Sequence, residues 1–245
     1  MLILPRTLSA LGAASAVVRR YCPTANEGVF AFPAEWTFVV GVSGAIAEKT
    51  GAKMKDYNDA SLLAKEAARC AIAHAKATAE CTPPHLANVV KHFQGDPEAV
   101  RAAITGHFAS GGVADFSEAA LLRRFDQFYA ESEEIIPEVA KAFAAADGAA
   151  LGTLVDRSQL LTDTHLQNQV PETVFLAKAA REEGAIAASA FGAGFGGSVW
   201  ALVAKADSAA FTAAWSAKYA GAFPDAAAQG MFFSMTPGPG AYRLE

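Results

Sequence analysis

Gly184 to Ala204 is the stretch that most constrains this chain. A small apolar run leads to Phe191, then comes Gly192-Ala-Gly-Phe-Gly-Gly197, then Ser198-Val-Trp-Ala-Leu-Val-Ala204. A glycine loses more backbone freedom on folding than any other residue. Four of them within six positions therefore mark a tight turn, or a place where something comes close to the main chain. The spacing of Gly192, Gly194 and Gly197 also fits G-x-G-x-x-G, the dinucleotide fingerprint. That fingerprint works only where a helix starts at the loop and aims its N-terminus at a pyrophosphate. Here Val199, Trp200, Leu202 and Val203 follow, a β-rich run that predicts a strand. The segment reads strand, glycine turn, strand, and a nicotinamide-binding oxidoreductase survives only if a helix begins at Gly197.

The flanking chain predicts a mixed fold. Pro23 to Pro33 reads as a turn-rich surface crossing, and Glu35 to Gly44 as a buried strand ending in glycine. Gly41-Val-Ser43-Gly44 falls one position short of the G-x-S-x-G nucleophile elbow, so Ser43 reads as a turn residue. A helix is expected over 53–76, broken by Thr82-Pro-Pro84, then a short helix from His85 to His92. Asp96-Pro97-Glu98 opens another. Asp115 or Ser117 caps the most regular stripe of the chain, Leu121, Phe125, Phe128, Ile135, Val139 and Phe143, which Pro137 should kink or split near Ile136. Asp147-Gly148 ends it, and a further helix covers about 149–161. After an irregular 162–170, Pro171 opens a helix that Gly184 caps. Asp207-Ser208 is expected to cap a helix to about Tyr219, followed by strands near Met231–Met235 and Ala241–Leu244. A tight turn between Phe191 and Ser198 requires antiparallel pairing. The expected class is α+β, a mostly antiparallel sheet of about four strands packed against helices, in one domain over 21–245.

Composition narrows the function. A formal net charge of −5 argues against a nucleic-acid partner. No apolar run reaches the ~18 residues of a membrane helix, so no membrane partner is expected. Cys22, Cys70 and Cys81 form no C-x-x-C pair and read as reduced thiols, which suits a cytoplasmic protein. His74, His85, His92 and His107 lack metal-site spacing, so no metal ligands are assigned. Residues 1–20 hold Arg6, Arg19 and Arg20 and no acid, the arginine pair following the apolar run rather than preceding it. They read as an atypical, unstructured N-terminal segment.

Three groups of residues resemble the GHMP sugar and metabolite kinases, galactokinase branch. They are the glycine turn with its Val/Ala/Leu strand and preceding Pro171-Glu172 helix, Phe38-Val-Val-Gly-Val-Ser-Gly44, and Glu48-Lys49-Thr50-Gly51-Ala52 with Tyr57-Asn58. Arg123-Arg124, the stretch from Gly148 to Leu154 and the closing strand keep the family's order, from about Tyr21 onward. The resemblance implies transfer of the γ-phosphoryl group of ATP, with Mg2+, to the anomeric hydroxyl of galactose or a related hexose. Such chemistry rests on positioning and charge neutralisation. It also implies that Tyr57, with Asn58, contacts the sugar, and that Gly192, Gly194, Phe195, Gly196 and Gly197 support the phosphate-binding elements.

The family's Arg/Glu/Asp sugar motif, Gly-Leu-Ser-Ser-Ser loop and catalytic aspartate have no counterpart before Tyr21. The resemblance is thus to a C-terminal half, and no catalytic residue is assigned within the chain. Asp59-Ala60-Ser61 stands where the family continues its Tyr-Asn segment with arginine, and Ala190-Phe191 replaces Met-Thr before the turn. Two readings follow. One is a kinase part whose ATP loop and base lie elsewhere, on a separate polypeptide or on sequence lost from this one, and which has no turnover alone. The other is a non-catalytic sugar-binding or interaction module that kept the fold.

Overall fold

The computed structural model describes residues 15–21, 24–46, 54–75 and 85–235, excepting the side chains of residues 15–29, 54, 56 and 57. The expected break at Thr82-Pro-Pro84 and the strand at Ala241–Leu244 lie outside the described residues, as do positions 1–14. Contacts gather into two compact units, one drawn from Met1–Glu48, Ile135–Leu160 and Gln169–Glu245, the other from Lys49–Glu134 and Leu161–Asn168.

In the first unit, β3 (Trp36–Val42), β4 (Ala187–Phe191), β5 (Ser198–Ala204) and β6 (Met231–Met235) form an antiparallel sheet in the order β4-β5-β3-β6. The register sets Phe191, Ser198, Val42 and Met231 in one row across all four strands. Because strand side chains alternate in direction, Val39, Ala188, Val199, Ala201 and Val203 share one face. They pack there on Leu176, Ala177 and Ala180 of α7 (Pro171–Glu182) and on Phe211, Trp215 and Tyr219 of α8 (Ser208–Ala222). Trp215 is fully buried, worth about 2–3 kcal/mol of apolar burial. Its indole N–H donates to the Leu176 carbonyl at 3.0 Å. The α+β expectation holds: a four-stranded antiparallel sheet packed against helices.

β1 (Ser15–Tyr21) and β2 (Thr24–Ala31) form an antiparallel hairpin. This corrects the turn-rich reading of Pro23–Pro33, and residues 15–20 of the N-terminal segment are strand. The polar Asn26-Glu27-Gly28 that suggests a turn sits instead at a bulge. Val18 pairs with Gly28 and Arg19 with Asn26, leaving Glu27 as the extra residue.

Also in this unit, α5 (Ile136–Ala144) and α6 (Gly148–Leu161) precede α7. Pro137 sits in the first turn of α5, and residues Ala130–Ile135 widen into a π turn before it, the split the proline predicts. Asp147 does more than end a helix: its carboxylate accepts from the Ala150 N–H at 3.0 Å and opens α6. The expected Asp207 cap is absent. A 3-10 turn at Lys205–Asp207 leads into α8, and the Ser208 hydroxyl donates back to the Lys205 carbonyl at 3.0 Å. A short α9 (Pro224–Ala227) between α8 and β6 goes unpredicted.

The second unit is helical: α1 (Met54–Ala75), α2 (Leu86–His92), α3 (Pro97–Ala109) and α4 (Glu118–Tyr129). Ala67, Ala68, Cys70 and Ala71 of α1 bury against Val89, Val100, Ile104, Leu121 and Phe125. The Asp96 carboxylate accepts from the N–H groups of Glu98 and Ala99, and Ser117 rather than Asp115 caps α4.

Candidate functional site

The glycine turn is built by φ angles. Gly192, Gly194, Gly196 and Gly197 have φ of +91°, +88°, +124° and +91°, and Phe195 is left-handed at +59°. Four successive residues from Gly194 to Gly197 thus lie in a region that side chains with a Cβ rarely enter. A Cβ added at Gly192 or Gly197 would meet nothing within 4 Å. At these two positions the backbone conformation, and not crowding, demands glycine. The turn ends in β5 with no helix at Gly197, which removes the nicotinamide reading.

The far end of the turn is tied down by Ser43, fully buried beyond the end of β3. The Ser43 N–H and its hydroxyl both donate to the Gly197 carbonyl, at 2.9 and 2.6 Å. Gly197 N–H donates to the Ala45 carbonyl at 2.8 Å, and the Ser43 hydroxyl accepts from the Ala45 N–H at 3.1 Å. The Ser43 carbonyl in turn accepts from the Tyr219 hydroxyl at 2.6 Å. With its oxygen so engaged, Ser43 is no nucleophile, and the turn-residue reading stands. Burial, and secondarily the charge of Glu172, pushes the Tyr219 hydroxyl up to about 12. Tyr219 was not singled out from the sequence. Its one signal there is the Phe211, Trp215, Tyr219 spacing of four, which marks a core stripe and no role.

Tyr57 and Asn58 lie on the first turns of α1, in the helical unit, with Asn58 exposed and the Tyr57 side chain outside the described atoms. One turn on, the Ala60 carbonyl accepts from Arg124 Nε at 3.4 Å, and Gln127 Oε1 accepts from Arg124 Nη1 at 2.8 Å. Burial pushes the Arg124 guanidinium down to about 10. Among the described residues, no three His, Cys, Asp or Glu side chains converge on a metal position. No helix there is long and apolar enough to cross a membrane.

Residues 139–221 match the family described as GHMP kinases C terminal, a segment that contains α6, α7, the glycine turn with both its strands, and nearly all of α8. This part of the chain has the GHMP kinase C-terminal fold. The same architecture recurs in Lactococcus lactis galactokinase complexed with galactose, at TM-score 0.70 and 18% identity over 94% of this chain and 52% of that one. It recurs again in L. major mevalonate kinase in complex with R-mevalonate, at TM-score 0.50 and 17% identity, covering 93% and 50%. The chain spans about half the length of these two kinases. No curated protein matches it.

Proposed function

We propose that this chain supplies the C-terminal part of a GHMP-type kinase, galactokinase-like, which transfers the γ-phosphoryl group of ATP to the anomeric hydroxyl of galactose or a related hexose. The observation that carries the reading is the left-handed glycine turn between β4 and β5, held by Ser43, within a fold shared with a galactokinase crystallised with galactose. In this reading Tyr57 hydrogen-bonds the sugar, with Asn58 beside it. Gly192, Gly194, Phe195, Gly196 and Gly197 form a rigid wall that supports the phosphate-binding elements.

The turn, Gly192-Ala-Gly-Phe-Gly-Gly197, carries no carboxylate to hold magnesium. In this reading the metal nucleotide and the catalytic base belong to a kinase N-terminal half, on a separate polypeptide or on sequence outside this chain, and no step through them is derived from these residues. The test is a coupled kinase assay with galactose, ATP and magnesium. The purified chain alone is expected to show no turnover, and addition of an N-terminal galactokinase-type half is expected to produce it. Turnover by the chain alone would count against the split assignment. Galactose binding in calorimetry with no activity on reconstitution would favour a non-catalytic sugar-binding module instead.

A further inference from the structure

We propose that Ser43 is a positioning residue whose side chain bridges an irregularity in the sheet, locking the glycine turn and the residues that leave β3 into one piece before any ligand binds. What the turn is used for rests on the kinase reading, whereas the lock itself rests on geometry alone.

The regular β3–β5 ladder ends at the Val42–Ser198 pair. One step further, a narrow antiparallel pair would have Ser43 and Gly197 exchange both of their main-chain bonds. Only half of that exchange is present. Ser43 N–H reaches the Gly197 carbonyl, but Gly197 N–H skips to Ala45, past Gly44 in the left-handed region at φ +78°. The Ser43 carbonyl is taken by Tyr219 instead. The slip leaves the half-buried Ala45 N–H without its ladder partner. The Ser43 hydroxyl fills that vacancy, accepting from Ala45 while donating to Gly197. The main chain from Gly194 to Gly197 is left-handed throughout. Here its closing end is held by the Ser43 hydroxyl and two main-chain bonds, and its opening end by the Phe191–Ser198 pair.

Serine is the smallest residue that both donates and accepts at this position; cysteine has similar shape with a weak donor and a weak acceptor. The experiment is amide hydrogen exchange on the full, unliganded chain, comparing Ser43→Cys and Ser43→Thr with the unmutated protein. Ser43→Cys is expected to speed exchange at Ala45 and Gly197 by about five- to tenfold, the equivalent of one lost hydrogen bond. The amides of Ala201 and Val203 should be unchanged, and Ser43→Thr should restore slow exchange at Ala45 and Gly197. Unchanged exchange at those two amides in Ser43→Cys would overturn the proposal. So would equal acceleration at Ala201 and Val203, which would mean the variant only weakens the fold. Because no sugar or nucleotide enters the measurement, its outcome is separate from that of the kinase assay.

Discussion

The Tyr219 hydroxyl donates to the Ser43 carbonyl at 2.6 Å across 176 residues of chain, with both residues fully buried. That carbonyl, just past the end of β3, is the one that Gly197 N–H bypasses for Ala45. Tyr219→Phe keeps the ring packed on Phe223 and Phe232 and removes only the donor. Leaving a buried carbonyl unpaired costs about 1–3 kcal/mol. A fall in Tm of a few degrees per kcal/mol is therefore expected in a thermal melt. An unchanged Tm would mean that water replaces the hydroxyl.

The same bond gives alkaline stability a defined sign. The folded Tyr219 hydroxyl titrates near 12, above the ordinary value of 10.0, so the native state retains a proton that the unfolded chain releases first. Its contribution to stability is complete below the unfolded value and is lost as pH rises through the folded one. Urea melts from pH 9 to about 12 should show stability falling more steeply in the unmutated protein than in Tyr219→Phe. Parallel profiles would remove Tyr219 as the cause.

Arg124 holds a charge at a site that opposes it. Among the described residues its partners are neutral, the Ala60 carbonyl and Gln127, and burial lowers its folded value to about 10. For a cation this sign means that folding is penalised at neutral pH and relieved only as pH rises past the folded value. Replacing an uncompensated charge by an apolar side chain of similar length is often neutral or stabilising. Arg124→Met is therefore expected to hold or raise Tm, whereas Arg124→Ala lowers it by opening a void. A drop in Tm for Arg124→Met would show that the Ala60 and Gln127 bonds outweigh the desolvation.

What could be read in the sequence divides by range. Asp96 and Ser117 act on N–H groups two or three residues away, and Pro137 on its own turn, so residue type alone predicts them. The glycine turn was legible because its conformational requirement is local, and the strand after it because β-rich residues follow at once. The β1–β2 hairpin was hidden by its bulge, which puts turn-like residues inside a strand. Ser43 was legible only as a turn residue. Its partner Gly197 lies 154 residues on, and no spacing rule links the two. Tyr57 and Asn58 entered through family resemblance, since helical periodicity by itself makes Tyr57 a packing residue.

Among the described residues the two sheet edges are protected unequally, which predicts where the protein self-associates. On β4, the Gln159 side chain accepts from the outer Ala190 N–H at 2.9 Å and from Ser189. On β6, Met231, Phe233 and Met235 are 58%, 39% and 42% exposed on one face of a strand with no charge and no proline. Such an edge is a template for intermolecular pairing. Phe233→Lys should reduce concentration-dependent light scattering while shifting Tm little, and scattering that persists would place the contact elsewhere.

Arg181 joins the end of α7 to β4, and Gly152 of α6 makes room for it. The Arg181 guanidinium donates to Asp156 at 2.9 Å, to the Ile186 carbonyl at 2.5 Å and to the Ala185 carbonyl. It thereby satisfies carbonyls between α7 and β4, where the chain turns toward the glycine segment. A Cβ on Gly152 would lie 2.5 Å from the Ile186 carbonyl oxygen and 2.6 Å from Arg181 Nη2. The first contact is with main chain, which cannot swing aside as a side chain can. Gly152→Ala, although it raises helix propensity, is therefore expected to destabilise by about 1–3 kcal/mol. Denaturant melts of Gly152→Ala, Arg181→Ala and the double variant test the cause. If the methyl acts by displacing the guanidinium, the two losses overlap and the double variant costs clearly less than their sum. Strict additivity would assign the Gly152 effect to the carbonyl clash alone.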